Sequence, residues 1–391
     1  MKVQLQRSGE NARNPLIHEK EIKEQNYPKT WLRFTDAKEN FLSWGYLGQQ
    51  NKGAGWLVLT AQQQPDALFF ENLLATSLHK RKSLFKNLST TNAFRLFNGV
   101  GDGLGGVTVD YYDGYLVFSW YNETIAALKE EVLQGFLTAY TAFCGTPALG
   151  VVEKFRYSTS KIESQVLQGA VPESLLIVEN DVHYRVYLDE GLMTGIFLDQ
   201  RHVRNLLKEK LAQDKTVLNT FSYTGAFSVA SKVGGAKATT SVDLAKRSLK
   251  KTQEQFAAND LPLTDEKIYV MDIFDFFKYA QKKKLTYDIV VLDPPSFARN
   301  KKKTFSVAKN YGELVTASQT LIQKGILVCS TNAANVNLKQ FKKMIEDSLV
   351  QAKRKFHFGE TFRLPEDFST VKELPEENYL KVCLVYLEEQ R

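Results

Sequence analysis

From about residue 216 onward, apolar runs of strand length alternate with stretches whose apolar residues recur every three or four positions. Few folds accept that pattern apart from an open, doubly wound parallel sheet with helices on both faces. The strand-like runs are TVLNTFS (216–222), KATTSVD (237–243), KIYVMD (267–272), YDIVVLD (287–293) and GILVCST (325–331). Between the first four lie TGAFSVASKVG, LAKRSLKKTQEQFAAND and IFDFFKYAQKKK, each with helical spacing. Ile289, Val290, Val291 and Leu292 are apolar without alternation, as in a strand covered on both faces. A helical NLKQFKKMIEDSLVQAKRK, a strand FHFGETF, a loop with Pro365 and Pro375 and a last strand YLKVCLVYL follow. Seven strands with a terminal hairpin differ from the six parallel strands of a dinucleotide-binding domain.

The residues before this sheet have another rhythm. Residues 1–66 are polar and β-rich, with WLRFTDAKENFLSWGYLGQQNKGAGWLVLT. Residues 67–182 open with helix-like DALFFENLLATSLHKRKSLF and pass through RLFNGVGDGLGGVTVDYYDGYLVFSWY, where Gly, Asp and Asn punctuate short strands as in hairpins. A second helix-like stretch, ETIAALKEEVLQGFLTAYTAF, and strands around PALGVVEKF and VHYRVYLDE complete a small α+β domain, leaving 183–391 for the α/β domain. No apolar run has the length to cross a bilayer, and the N-terminus lacks the apolar block of a secretory signal. A cytoplasmic protein with no membrane partner is expected. Cys144, Cys329 and Cys383 are few and far apart, which suggests neither a disulfide framework nor a metal site.

The formal net charge of +7 leans toward a polyanionic partner. Basic residues gather in HKRK (79–82), KKK (282–284), ARNKKK (298–303) and KRK (353–355). The third cluster directly follows a strand end suited to ligands, so Arg299, Lys301, Lys302 and Lys303 are the expected phosphate contacts.

Three of the five strands end in aspartate, at the sheet edge where open α/β folds bind ligands. The first strand opens into NTFSYTGAFS, which has one glycine where a dinucleotide site needs a Gly-x-G-x-x-Gly cradle for pyrophosphate. Phe221, Ser222, Tyr223, Thr224 and Gly225 can surround a ligand that has no pyrophosphate. Asp243 is placed to accept from ribose hydroxyls and Asp272 from an adenine amine; each could instead merely cap the helix that follows. Ribose and adenine contacts without a phosphate cradle describe S-adenosylmethionine better than NAD. In DEGLMTGIFLDQR (189–201), Arg201 suits either the methionine carboxylate of that cofactor or an RNA phosphate. Asp293-Pro294-Pro295 then faces the methyl group: two prolines fix φ and lack amide hydrogens, and a carboxylate beside free carbonyls suits a base amine or ring N–H. Phe297 is placed to stack on that base.

These motifs, RLFNGVGDGLGGVTVDYYDGYLV, TGIFLDQR, VLNTFSYTGAFSV, SVDLAKRSLKKTQEQFAAND, DIVVLDPPSF and LPEENYLK, resemble the large-subunit (23S) ribosomal RNA methyltransferases that join a PUA-like domain and a small α+β domain to a class I methyltransferase domain. The resemblance spans about residue 94 to the C-terminus, with any PUA-like module in 1–66 short or degenerate. It implies a Rossmann-like, seven-stranded, mostly parallel sheet, S-adenosylmethionine as cofactor and 23S rRNA as partner, and leaves monomer or homodimer open. It also implies cofactor contacts at Arg201, residues 221–225, Asp243, Asp272 and Asp293, and target handling at Pro294 to Phe297. Relatives that methylate cytosine at C5 place a cysteine where Asn332 stands here, and Cys329 lies three residues earlier inside the strand. Direct transfer to a base in the DPPSF pocket is therefore the expected reaction. Cytosine-5 methylation through Cys329 and a non-catalytic ribosome assembly factor that binds RNA are the alternatives.

Overall fold

The computed structural model describes residues 1–7, 14–23, 27–50, 53–59, 61–299 and 304–389. Contacts divide the chain into two units: Met1–Ile177 with Val186–Thr194 and Glu366–Pro375, and Val178–Arg185 with Gly195–Pro365 and Glu376–Arg391. This partition differs from the expected 1–66, 67–182 and 183–391. The two N-terminal portions cluster together, and two short segments from further along the chain join them.

The first unit holds two five-stranded sheets. One runs, in spatial order, Lys2–Gln4, Leu32–Thr35, Phe41–Gln50, Gly53–Leu59 and Leu16–Ile17, around Val3, Ile17, Leu32 and Phe34. The other runs Ser164–Gly169, Gly150–Phe155, Tyr115–Trp120, Val107–Tyr112 and Ala93–Asn98, and shares one core with the helices Ala67–Lys80 and Lys129–Cys144. Residues 366–375, expected as a plain loop, belong here for an electrostatic reason. Arg81 and Asp102 form a buried pair at 2.6 Å, and Arg81 also donates to the Asp367 carbonyl. The Asp367 carboxylate accepts from the Arg95 amide at 2.8 Å, and the Ser369 carbonyl accepts from Asn98 Nδ2 at 2.7 Å. A charge pair taken out of water needs its remaining donors satisfied, and this segment supplies the acceptors.

The second unit is built on seven strands: β1 (Thr216–Thr220), β2 (Ala238–Asp243), β3 (Glu266–Val270), β4 (Ile289–Leu292), β5 (Gly325–Thr331), β6 (Phe356–Phe362) and β7 (Lys381–Leu387). Their spatial order is β3-β2-β1-β4-β5-β7-β6. The first five strands pair in parallel, and β7 lies antiparallel to both β5 and β6. The helices are α1 (Arg201–Leu206), α2 (Ala226–Val233), α3 (Arg247–Ala257), α4 (Ile273–Lys282), α5 (Val307–Ser318) and α6 (Leu338–Gln351). Ile289 and Val291 enter one core with Val217, Val328 and Val382, whereas Val290 and Leu292 enter another with Leu218, Leu327 and Val385. Both faces of β4 are covered, which explains its lack of alternation. Among the described residues, no helix is long and apolar enough to cross a membrane.

Candidate active site

Strand order reverses between β1 and β4, so their C-terminal ends part and open a crevice. A cleft of about 1040 Å³ occupies that edge, large enough for a nucleoside with a side chain. Phe197, Asp199 and Gln200 line it from ahead of α1, Phe221 and Tyr223 from the loop after β1, and Asp243 and Leu244 from the end of β2. Met271 to Asp275, Asp293 to Pro295, Phe305 and Asn332 complete the wall beyond β3, β4 and β5.

The β1 loop is sharply turned, because Phe221 (φ 54°) and Tyr223 (φ 52°) both adopt left-handed backbone. Side-chain-bearing residues pay about 1–3 kcal/mol each for such conformations, so surrounding bonds must hold them. The Ser222 amide donates to the Val242 carbonyl at 3.0 Å, the Tyr223 amide to Asp243 Oδ2 at 2.8 Å, and Thr224 Oγ1 to the Gly195 carbonyl at 2.6 Å. Phe221 and Tyr223 consequently line the cleft, while Ser222 and Thr224 are buried outside it. Gly225 (φ 83°) caps α2, where a Cβ would come within 2.6 Å of Thr252 Cγ2.

Asp243 is held by two amides, Tyr223 N on Oδ2 and Ala245 N on Oδ1, each at 2.8 Å. Each carboxylate oxygen has lone-pair capacity for a further bond, which suits the two hydroxyls of a ribose. Asp272 caps α4, accepting from the Phe274 amide at 2.9 Å, and it also lines the cleft. The capping role and the lining role coincide in this residue. Asp293 accepts from Gln200 Nε2 at 3.1 Å, and the same Nε2 donates to Ser330 Oγ at 2.8 Å. Burial pushes the Asp293 carboxyl up to about 6, the nearby Asp199 charge adds to that, and the Ser330 hydroxyl, Arg204 and Gln200 oppose it. Arg204, paired with buried Glu179 at 2.7 Å, also donates to the Phe197 carbonyl at 2.9 Å and so fixes the rim.

Several expected residues lie elsewhere. Arg201 is buried in the first turn of α1 and does not line the cleft, nor do Ser222, Thr224 and Gly225. Phe297 is 63% exposed, at the start of a short strand Phe297–Arg299 that pairs with Thr304–Ser306. This hairpin brings Phe305, rather than Phe297, to the cleft wall, 6.3 Å from the Phe221 ring. Arg299 ends that strand, and Lys301, Lys302 and Lys303 lie outside the described residues. Cys329 is buried within β5 opposite Cys383; burial raises its thiol well above the ordinary range, and it does not line the cleft. Sequence reasoning did not assign Phe197, Gln200, Leu244 or Phe274 to the cleft. Leu244 carried a signal, being an apolar residue directly after a strand-ending aspartate, and it is 57% exposed.

The donor set fits the nucleoside part of S-adenosylmethionine. Asp243 is oriented with acceptor capacity to spare, Gln200 Oε1 is buried without a partner among the described residues, and apolar side chains from Leu244 and Phe274 flank the β2 and β3 ends. A model of S-adenosylmethionine-dependent methyltransferases matches residues 94–382, and one of PUA-like domains matches residues 7–59. The chain is 47% identical over 357 residues to YwbD of Bacillus subtilis (strain 168), a candidate ribosomal RNA large subunit methyltransferase, covering 90% of this chain and 89% of that one. It is 29% identical over 323 residues to ribosomal RNA large subunit methyltransferase I of Salmonella arizonae, covering 81% and 78%. A crystal structure of SMU.776, a candidate methyltransferase complexed with SAH, superposes with a TM-score of 0.91 at 41% identity, covering 99% of this chain and 100% of that one. A candidate SAM-dependent methyltransferase from Streptococcus mutans gives 0.89 at 40% identity, with 99% and 100% covered. The fold thus has a counterpart over nearly the whole chain, which belongs to the S-adenosylmethionine-dependent methyltransferase family.

Proposed function

We propose that the protein methylates a nitrogen on a base of large-subunit ribosomal RNA, in the part of the cleft closed by Asp293-Pro294-Pro295. One observation carries this reading: a carboxylate, held by Gln200 at 3.1 Å, sits at the strand end where the sheet's order reverses, followed by two residues that donate nothing. When bound, the cofactor supplies a methyl group already activated on a sulfonium. Asp243 and the β1 loop orient the nucleoside, so alignment rather than acid catalysis supplies most of the rate. Asp293 accepts a hydrogen bond from the target N–H and takes up the proton released as the new N–C bond forms. The ribosomal RNA substrate is supported by the names of the relatives and by the net charge of +7.

The test is transfer of tritium from labelled S-adenosylmethionine to large-subunit rRNA from cells lacking the protein. Wild type transfers label, Asp293→Ala loses transfer while still binding SAH, and Cys329→Ala keeps it. Full activity in Asp293→Ala removes the carboxylate from the mechanism. A wild-type protein that binds SAH yet labels no rRNA removes the substrate assignment.

A further inference from the structure

The LPEENYLK segment carries resemblance in sequence, yet the cofactor cleft does not draw on its side chains. Residues 378–381 connect three places around the target end of the cleft. Asn378 accepts from Arg363 just past β6, through Oδ1 at 3.2 Å and through its carbonyl. Tyr379 OH donates to Asp199 Oδ2 at 2.9 Å, and Asp199 lines the cleft. Lys381, only 2% exposed, donates to the Ala333 carbonyl at 2.8 Å.

Lys381 opens β7 beside Thr331, the last residue of β5, so its ammonium sits under the turn that leads into Asn332 and Ala333. Asn332 lines the cleft, and its Oδ1 accepts from Ser296 Oγ at 2.5 Å, joining that turn to the loop after Asp293. Among the described residues, no carboxylate pairs with Lys381. A buried ammonium with a single carbonyl partner is a poor stabilising device in itself, because desolvation outweighs one hydrogen bond. Its place at this point is explained by what the bond fixes.

We infer that Lys381 is a positioning residue: its ammonium anchors the Asn332–Ala333 turn, and through the Asn332–Ser296 bond it sets the wall against which the target base is held. This rests on the proposed reading of the site as a base-methylating cleft. Deprotonation leaves two N–H donors on the nitrogen but removes the charge that strengthens its bond to the Ala333 carbonyl, so the anchor weakens when the charge is lost. Burial, reinforced by the Arg363 guanidinium, pulls the Lys381 ammonium down to about 8. Cys383, two residues on along the same strand face, is held neutral by burial, and Lys342 of α6 acts on that thiol. The turn therefore loosens as pH rises through about 8.

The experiment compares wild type, Lys381→Met and Lys381→Arg in the full chain, with SAH binding by calorimetry, amide exchange of residues 331–336 and rRNA methylation from pH 6 to 9.5. Lys381→Met should exchange about tenfold faster in 331–336, lose about ten- to a hundredfold in kcat and bind SAH within about twofold of wild type. Lys381→Arg, charged throughout this range, should restore turnover and retain it at pH 9, where wild type declines. Unchanged exchange and turnover in Lys381→Met would overturn the inference, as would a basic limb that persists in Lys381→Arg. Because exchange is read without RNA, failure of the rRNA assignment shows separately, as absent labelling by wild type.

Discussion

In the proposed reaction Asp293 must be ionised to accept from a target N–H, yet it sits where burial favours the neutral acid. Its carboxyl is raised from 3.8 to about 6 in the folded chain. A raised acid contributes stability that is fully present below its unfolded value of 3.8 and is lost as pH rises through about 6. At neutral pH the protein thus holds an anion that its buried surroundings disfavour. Asp293→Asn keeps the shape and removes the charge, so thermal unfolding at pH 7.5 should show a gain of about 1 kcal/mol, discounted because the side chain faces an open cleft. That gain should shrink on lowering the pH through 6. Turnover by the same variant should fall about a hundredfold or more. In wild type, kcat should decline below about pH 6 as the carboxyl protonates. An Asp293→Asn protein less stable than wild type at pH 7.5 would show that the ionised carboxylate is a net stabiliser. The sequence made Asp293 visible, because an aspartate after four unalternating apolar residues has no packing reason to be there. Its partner Gln200 was not assigned, because 93 residues separate the two and nothing local marks an amide as the one that reaches a strand end.

At the scale of elements, what periodicity reports became legible and what tertiary hydrogen bonds decide did not. The order of strands and helices in the second unit agrees with the alternation of residues from 216 onward, and β5 and β6 coincide with the expected GILVCST and FHFGETF. β1 stops at Thr220, two residues before the expected end, because Phe221 turns left-handed, a conformation that propensity gives no warning of in an aromatic residue. Phe297 looked like the stacking residue from its place beside the prolines. The hairpin Phe297–Arg299 with Thr304–Ser306 instead presents Phe305 to the cleft, and a two-residue alternation decides which ring turns inward. The β1 loop is also where a small change should be most costly. Gly225→Ala puts a methyl 2.6 Å from Thr252 Cγ2 at a φ of 83°, so either α3 or the loop must shift. Stability should fall by about 1–3 kcal/mol. SAH affinity should fall about tenfold, because Tyr223 and Asp243 move together. Calorimetry at a temperature where the variant remains folded separates the two effects, and undiminished SAH affinity would mean that the loop's backbone is not what orients Asp243.

Across the whole molecule, basic residues outnumber acidic ones, 51 to 44. Many of those cations are already committed within the fold: Arg81 and Arg204 are buried in ion pairs with Asp102 and Glu179. Arg354 is buried against the Ile322 and Gln323 carbonyls, and Lys381 against Ala333. The ion pairs leave the net charge unchanged, but the charge on buried Arg354 and Lys381 is out of reach of an RNA backbone, so position has to decide. The cluster Arg299 to Lys303 was singled out because it follows the acidic strand end. The hairpin strand Phe297–Arg299 starts four residues beyond Asp293, and Lys301 to Lys303 lie in sequence between it and its partner strand Thr304–Ser306. Replacing Lys301, Lys302 and Lys303 together by glutamate should weaken rRNA binding and flatten its dependence on salt. With about 0.7 counterions released per neutralised phosphate of a single strand, losing three contacts lowers the slope of log K against log salt by about 2. SAH affinity should stay within about twofold of wild type, since the cofactor end of the cleft is built from other elements. Anisotropy titrations between low and moderate salt measure the slope directly. A variant that loses affinity by the same factor at every salt concentration would mean that these lysines act through the shape of the hairpin and not through charge, whereas an unchanged isotherm would move the phosphate contacts to another face of the protein.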